Sequence, residues 1–308
     1  MAVKSAGISS YVQYGAETAY GTGVATTSVI GINTSFSPSL NNSVNPRAGF
    51  TTSATSGRRP TALVPGRAML SFSIDFDVVD FAWAEYVLGA ASGAGTITYA
   101  FGDDTKSLTV TDNIDDTTDR VDTYDGCVIQ SATIRGAIDS PITATLNMDA
   151  SDTTKSASLT SKTALSDTQP YNFVGSSFEF PDSTAINNIV EGFDITVNNN
   201  YTLLYGSSRT ATAAVPGTSN FNFKLTTKRV DDELWDQLKG STTTISATTP
   251  DTETTLYINL ARASDTVVLG LTGTVMPSEY SGTRKIGTPI GEDFTFLATN
   301  MTIVETLA

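Results

Sequence analysis

The sequence predicts a mainly β protein. It reads as two tandem β-sandwich or partly open barrel domains, each with one short flanking α-helix. Three observations carry this reading. Segments of strict apolar–polar alternation recur along the chain. The pattern "RRPTALVPGRAMLSFSIDFDVVDFAWAEYVLG" from Arg58 returns as "RTATAAVPGTSNFNFKLTTKRVDDELWDQLKG" from Arg209. The length differences between the copies fall in polar connecting stretches, where a duplicated fold tolerates them.

At a shift of 151, Arg58 falls on Arg209, Val64-Pro65-Gly66 on Val215-Pro216-Gly217, Phe72 on Phe223, Ile74 on Leu225 and Gly89 on Gly240. At a shift of 157, "FSPSLNN" from Phe36 meets "FDITVNN" from Phe193. The six-residue difference separates the blocks, in "SVNPRAGFTTSATSG" against "NYTLLYGSS". The domains are expected at 1–165 and 166–308. The polar run "ASDTTKSASLTSKTALSDTQP" forms an exposed connection between them.

Within one unit, "SFSPSL" alternates and predicts a strand, followed by a long loop from Asn42 to Gly57. "VPG" supplies turn chemistry. In "AMLSFSIDFD", Leu70, Phe72, Ile74 and Phe76 share one face and Ser71, Ser73, Asp75 and Asp77 the other. "VVDFAWAEYVLG" predicts a helix capped by Asp80 and closed by Gly89. "VDDELWDQLKG" predicts its counterpart, with acidic residues in the first turn and an apolar face of Leu234, Trp235 and Leu238. The Gly-rich "GAASGAG" reads as a flexible helix exit. "CVIQSATIRG" and "PITATLNMDA" predict a hairpin across "AIDS". "TTLYINLA", "TVVLGLTGTVM" and "EDFTFLATNMTIVE" predict the closing strands of the second unit, the last two separated by a loop, "PSEYSGTRKIGTPIG".

Composition narrows the function. The formal charge is -14 and the pI about 4.3, which opposes an affinity site for nucleic acid but not a passage for it. The excess of Asp over Glu fits a saline source or a solvated β-rich surface. There is no histidine, which excludes Ser-His-Asp catalysis and His-ligated zinc. Cys127 is the sole cysteine and reads as a small buried hydrophobe. No apolar run is long enough to span a membrane as a helix, and the start lacks a signal-peptide core. The acidic run "DNIDDTTDRVDTYDG" from Asp112 lacks the EF-hand pattern and reads as a solvated loop. Asp115 and Asp116 lie in polar surroundings that would not raise a catalytic pKa. No phosphate-binding loop, metal site or cofactor site is expected, and the reading is not that of an enzyme.

The start, "YVQYGAETAYGTG", resembles the opening of major tail tube proteins of long-tailed phages or archaeal tailed viruses. "GCVIQSATIRGAIDSPITATLNMDAS", "FDITVNNNYTLLYG" and the order of elements are similar too. The resemblance implies a structural virion protein of the tail, assembled in the host cytoplasm. Its rings would stack, and their joined inner sheets would line a channel for DNA ejection. A tandem-duplicated member implies a trimeric ring that mimics a hexamer. The implied partners are the chain itself, the tape measure, the tail terminator and the baseplate or tip. DNA would pass without specific binding, no membrane is involved, and the tail would be flexible and sheathless. The competing reading is a surface-exposed adhesive or decoration β-sandwich.

On the tube reading, the polar faces of the wall strands should line the lumen. The candidates are Ser71, Ser73, Asp75, Asp77, Thr143, Thr145, Asn147, Asp149, Asp194, Asn222, Lys224 and Thr226. Asp75, Asp77, Asp149 and Asp194 would supply negative charge, although outer-surface carboxylates are an equal alternative. Lys224 would be the exception, neutralised by a neighbour. The loops Asn42 to Gly57 and Asn199 to Ser208 are candidates for contact with the adjacent ring, with Arg47 and Phe50 as anchors.

Overall fold

A computed structural model describes residues 10–47, 62–103, 106–114, 119–161, 165, 169–180, 185–186, 189–240, 244, 253–262, 265–284, 286 and 289–307. The first half contains β1 (Ser10–Ala16), β2 (Ser28–Val29), β3 (Ile32–Arg47), β4 (Ala62–Asp77), α1 (Ala84–Leu88), β5 (Gly89–Ser92), β6 (Thr96–Phe101), β7 (Leu108–Ile114), β8 (Arg120–Ala137), β9 (Thr143–Ala150) and β10 (Asp152–Ser156). The second contains β11 (Ser177–Glu179), β12 (Ile189–Asn198), β13 (Thr202–Leu204), β14 (Ala213–Val215), β15 (Asn220–Lys228), α2 (Glu233–Lys239), β16 (Glu253–Arg262), β17 (Asp265–Thr283) and β18 (Gly291–Thr306). The mainly β expectation with two short helices holds.

Alternation dictates the layers. One antiparallel row runs β3–β4–β9–β8–β12–β15–β18–β17. Its first four strands come from the first half and its last four from the second, in the same relative chain order. Two outer sheets cover its apolar side. One is β2–β1–β7–β8–β10. The other is β11–β16–β17–β18–β6–β5. β8, β17 and β18 serve both layers. Their first or last residues pair in an outer sheet and the remainder in the row.

The core lies between the layers. Phe72 and Ile74 from β4, Leu146 and Met148 from β9, and Phe223 and Leu225 from β15 are buried there. In the first half, Tyr124 of the outer sheet stacks on Phe36 and Phe72, with ring centroids 5.5 and 4.9 Å away. In the second, Phe180 and Phe223 pack on Phe296 at 5.0 and 5.8 Å. Cys127 is fully buried in β8.

The halves are interlocked. β6 leaves the first half and pairs with the end of β18, Tyr99 opposite Ile303. Glu305 is buried beneath this crossing. Its carboxylate accepts the Phe81 N–H at 3.3 Å and the Tyr99 hydroxyl at 3.3 Å. The Arg262 guanidinium lies 4.4 Å from the Tyr171 ring centre and donates to the carbonyls of Val79 and Gln169.

Several local expectations are corrected. β3 continues past Asn42 to Arg47, and Val64-Pro65-Gly66 lies within β4 rather than in a turn, because the β3–β4 ladder extends to Arg47 opposite Ala62. "GAASGAG" is not a flexible exit: it forms β5 and a turn in which Gly93 and Gly95 have φ of 103° and 81°. The connection after Ala150 includes β10, held on β8 with Asp152 opposite Asp125. The acidic run from Asp112 is not a solvated loop at its ends: it closes β7 and opens β8, with Asp112 opposite Asp122 and with Val121, Asp122 and Tyr124 buried. "PSEYSGT" is strand rather than loop, because β18 pairs with β17 through Thr283. Asp80 does not cap α1. Its carboxylate accepts the Ala82 N–H at 3.2 Å, a turn ahead of a helix of only five residues. Both helices do end on left-handed glycines, Gly89 and Gly240.

Candidate functional site

The eight-stranded row has one face in the core and one open face. Side-chain direction alternates along each strand, so the register decides which residues meet on the open side. Asp77, Thr143, Arg135, Asp194, Lys224, Thr295 and Glu279 form one line across seven strands. Ser35, Asp75, Thr145, Thr133, Thr196 and Asn222 form the next. Ser73 and Asn147 stand in a third, Ser71 pairs with Asp149 at the rim, and Thr226 pairs with Asp293. All twelve sequence-selected residues therefore share this face, and none is buried.

Hydrogen bonds hold the carboxylates in place. Asp75 accepts from the Ser35 hydroxyl at 2.5 Å and the Thr145 hydroxyl at 2.6 Å. These bonds hold its pKa below the usual value. Burial pushes Asp77 and Asp149 up, although the Gln130 amide offsets this for Asp149 with a 2.6 Å bond. Lys224 lies 3.2 Å from Asp293, the neighbour expected to neutralise it. Asp293 also accepts the Thr226 hydroxyl at 2.7 Å.

Sequence reading missed Arg135, Glu279, Asp293, Ser131, Thr133 and Thr196 on this face. Arg135 bonds Asp194 at 2.8 Å. Its strand carries a bulge between Ile129 and Ser131, and Cys127, Val128 and Ile129 are buried in succession. A simple period-two count therefore loses its phase before Ser131. The loop assigned to Glu279 hid its position. Asp293 was legible in "EDFTFLATN", where it alternates with the buried Phe294 and Phe296.

With the missed groups included, Asp75, Asp77, Asp149, Asp194, Asp293 and Glu279 outnumber the cations Arg135, Lys224 and Lys228, the last paired with Glu191 at 2.9 Å. The face is mainly polar and net acidic, with the half-exposed Leu297 opposite Asn222 as an apolar exception.

A second feature projects beyond this sheet. The β4–β9 ladder ends at Leu70 opposite Ala150, whereas β3 and β4 stay paired out to Arg47 and Ala62. This two-stranded arm exposes Val44, Leu63, Val64 and Met69, and Leu40 is exposed at its root. Arg209 grips it, donating to the Gly66 carbonyl at 3.1 Å and the Asn42 carboxamide at 2.8 Å. The Arg67 guanidinium stands 5.0 Å from the Tyr205 ring centre. The stretch from Asn199 to Ser208 includes β13 and approaches the arm rather than standing apart as a loop. Arg47 is exposed at the end of β3, while Phe50 lies outside the described residues.

An open polar sheet face and an apolar arm suit assembly better than turnover. Among the described residues, no group of three or more His, Cys, Asp or Glu is placed to hold a metal. Asp115 and Asp116 lie outside the described residues. A family model described as phage tail tube protein matches residues 7–298. The chain belongs to the phage tail tube protein family. Membership makes this tail tube chain a structural component of a virion tail, a class of protein that works by associating with itself and with other tail proteins. No curated protein matches the tail tube chain.

Proposed function

We propose that this chain is the repeating subunit of a tube in a long-tailed virus. Three chains close a ring, rings stack, and the open sheet face lines a channel through which DNA leaves the virion. The observation that carries this is the continuous eight-stranded row, apolar on one face and mainly polar on the other. Its strands β8 and β12 join the two halves of one chain as neighbouring domains of a ring would be joined.

The tandem duplication, with domains at 1–165 and 166–308, is part of the same reading. It is supported by matching irregularities. The bulge between Asn33 and Ser35 recurs between Val190 and Gly192, at the shift of 157 found in the sequence. The bulge between Ile129 and Ser131 recurs between Pro277 and Glu279, at a shift of 148. A chain that carries the unit twice needs three copies for a pseudo-hexameric ring.

The acidic face suits passage without capture, because phosphates meet mainly carboxylates and paired cations. The repulsion is screened beyond about 10 Å at moderate salt. The β3–β4 arm, with Arg47 at its end, reaches the adjacent ring. Tape measure, terminator and baseplate or tip proteins set the ends, and assembly takes place in the host cytoplasm. Negative-stain microscopy of the purified chain tests the reading. Rings or hollow filaments are expected; a protein that stays monomeric at high concentration would overturn it.

A further inference from the structure

The ladders leave two long edges of the row with a partner on one side only, among the described residues. One is β3, which pairs with β4. The other is the end of β17 from Met276 to Thr283, which pairs with β18. Exposed edges of this length invite a further strand. The β8–β12 seam shows how such edges meet, because β8 corresponds to β17 and β12 to β3 through the shifts of 148 and 157 given above. At the seam, Ser131, Thr133 and Arg135 stand opposite Asn198, Thr196 and Asp194.

We propose that the β17 edge pairs antiparallel with β3 of a second copy of this chain, setting Glu279, Ser281 and Thr283 opposite Asn41, Ser39 and Ser37. The proposal rests on the ring reading above and fixes which edges close it and in what register. The register keeps parity. Ser37, Ser39, Ser281 and Thr283 fall on the polar side, and Leu40 meets Tyr280 on the core side, where the seam has Val197 against Ala132. A slip of one residue would turn Leu40 and Tyr280 to opposite faces. The pairing would cover Leu40, now 55% exposed. It also sets Arg284 opposite Phe36, beside a notch lined by Asn33, Phe36 and Asp112, where its cation meets a carboxylate. The contact is head to tail, so it generates a closed ring or an open helix rather than a two-fold dimer.

Cysteine pairs test the register. Directly opposed residues have Cα atoms about 4.5–5.5 Å apart, within reach of a disulfide, whereas diagonal neighbours are about 7–8 Å apart. The native Cys127 is fully buried and does not compete. A full-length chain carrying Ser39→Cys and Ser281→Cys is oxidised after assembly and run on a non-reducing gel. Covalent multimers of two and three chains are expected. Ser37→Cys with Ser281→Cys, one pair out of register, should give at least about tenfold less product. Ser37→Cys with Thr283→Cys samples the same register should the first pair fail to fold. Thr133→Cys with Thr196→Cys, at the existing seam, should cross-link within one chain.

Preferential cross-linking of the out-of-register pair overturns the register. Rings or tubes by microscopy with no multimers from either in-register pair overturn the edge pairing and leave the tube reading standing. A folded monomer, with the seam cross-link formed and neither multimers nor rings, overturns both.

Discussion

Arg135 and Asp194 face each other across the seam between the two half-sheets, Nε to Oδ2 at 2.8 Å. They come from strands on either side of the proposed domain boundary, yet they are direct ladder partners. Both are partly exposed, with side-chain exposures of 58% and 34%, so solvent weakens their attraction. A double-mutant cycle with Arg135→Ala and Asp194→Ala, read by denaturant unfolding, should give a coupling below about 1 kcal/mol. A larger value would mean that charge, rather than burial, holds the seam.

Burial acts on the other face of the same ladder. Gly136 stands opposite Phe193, and a Cβ there would fall 2.4 Å from the Phe193 ring and 2.8 Å from Ile142. Gly136→Val should therefore cost about 1–3 kcal/mol through overpacking. Ile195, buried opposite Ile134, should cost about 2–5 kcal/mol as Ile195→Ala. Unfolding midpoints check both. A neutral Gly136→Val would show that the seam relaxes freely.

Glu305 gives the chain a pH-dependent stability. Burial, with Asp80 nearby, raises its pKa from 4.5 to about 7. The folded chain thus keeps a proton through a window in which the unfolded chain has lost it. Stability should fall as pH rises from about 4.5 to about 7, by on the order of 2–3 kcal/mol, and then level off. Glu305→Gln keeps an acceptor for Phe81 and Tyr99 and removes the charge. It should flatten that slope and stabilise the chain at pH 8. Unfolding curves at pH 4, 6 and 8 compare the two, and an unchanged slope would contradict the assignment.

The polar face should tolerate neutral changes but not added cations. Ser73→Lys, Thr145→Lys and Asn222→Lys together add a positive band in the middle of that face. Assembled particles carrying them should retain DNA in a salt-dependent way and release it more slowly. Release from purified virions, measured at low and high salt, tests this. Equal rates at low salt would place the face outside the DNA path.

The arm should serve stacking. Leu63 and Val64 are 68% and 42% exposed and lie beyond the sheet. Leu63→Asp with Val64→Asp should leave folding nearly unchanged and shorten filaments to rings or short stacks. Microscopy reads the length distribution, and full-length tubes would remove the arm from the ring contact.

Much of this molecule was determined by local sequence. Alternation in "SFSIDFD", "PITATLNMD" and "NFNFKLTT" fixes which side chains face outward, because the pleat has period two whatever the partner strand. Gly89 and Gly240 mark where the helices stop, because only glycine enters the left-handed region without strain. The recurring pattern from Arg58 and Arg209 is legible without any structure and underlies the proposed duplication. Tertiary structure decided the rest. Whether "PSEYSGT" is loop or strand depended on β18 lying beside it, since pairing supplies hydrogen bonds that composition does not encode. Arg135 and Asp194 are far apart in the chain and meet only because β8 bends from one layer to another at a bulge. The join between the halves was therefore decided by non-local pairing, which no window of sequence contains.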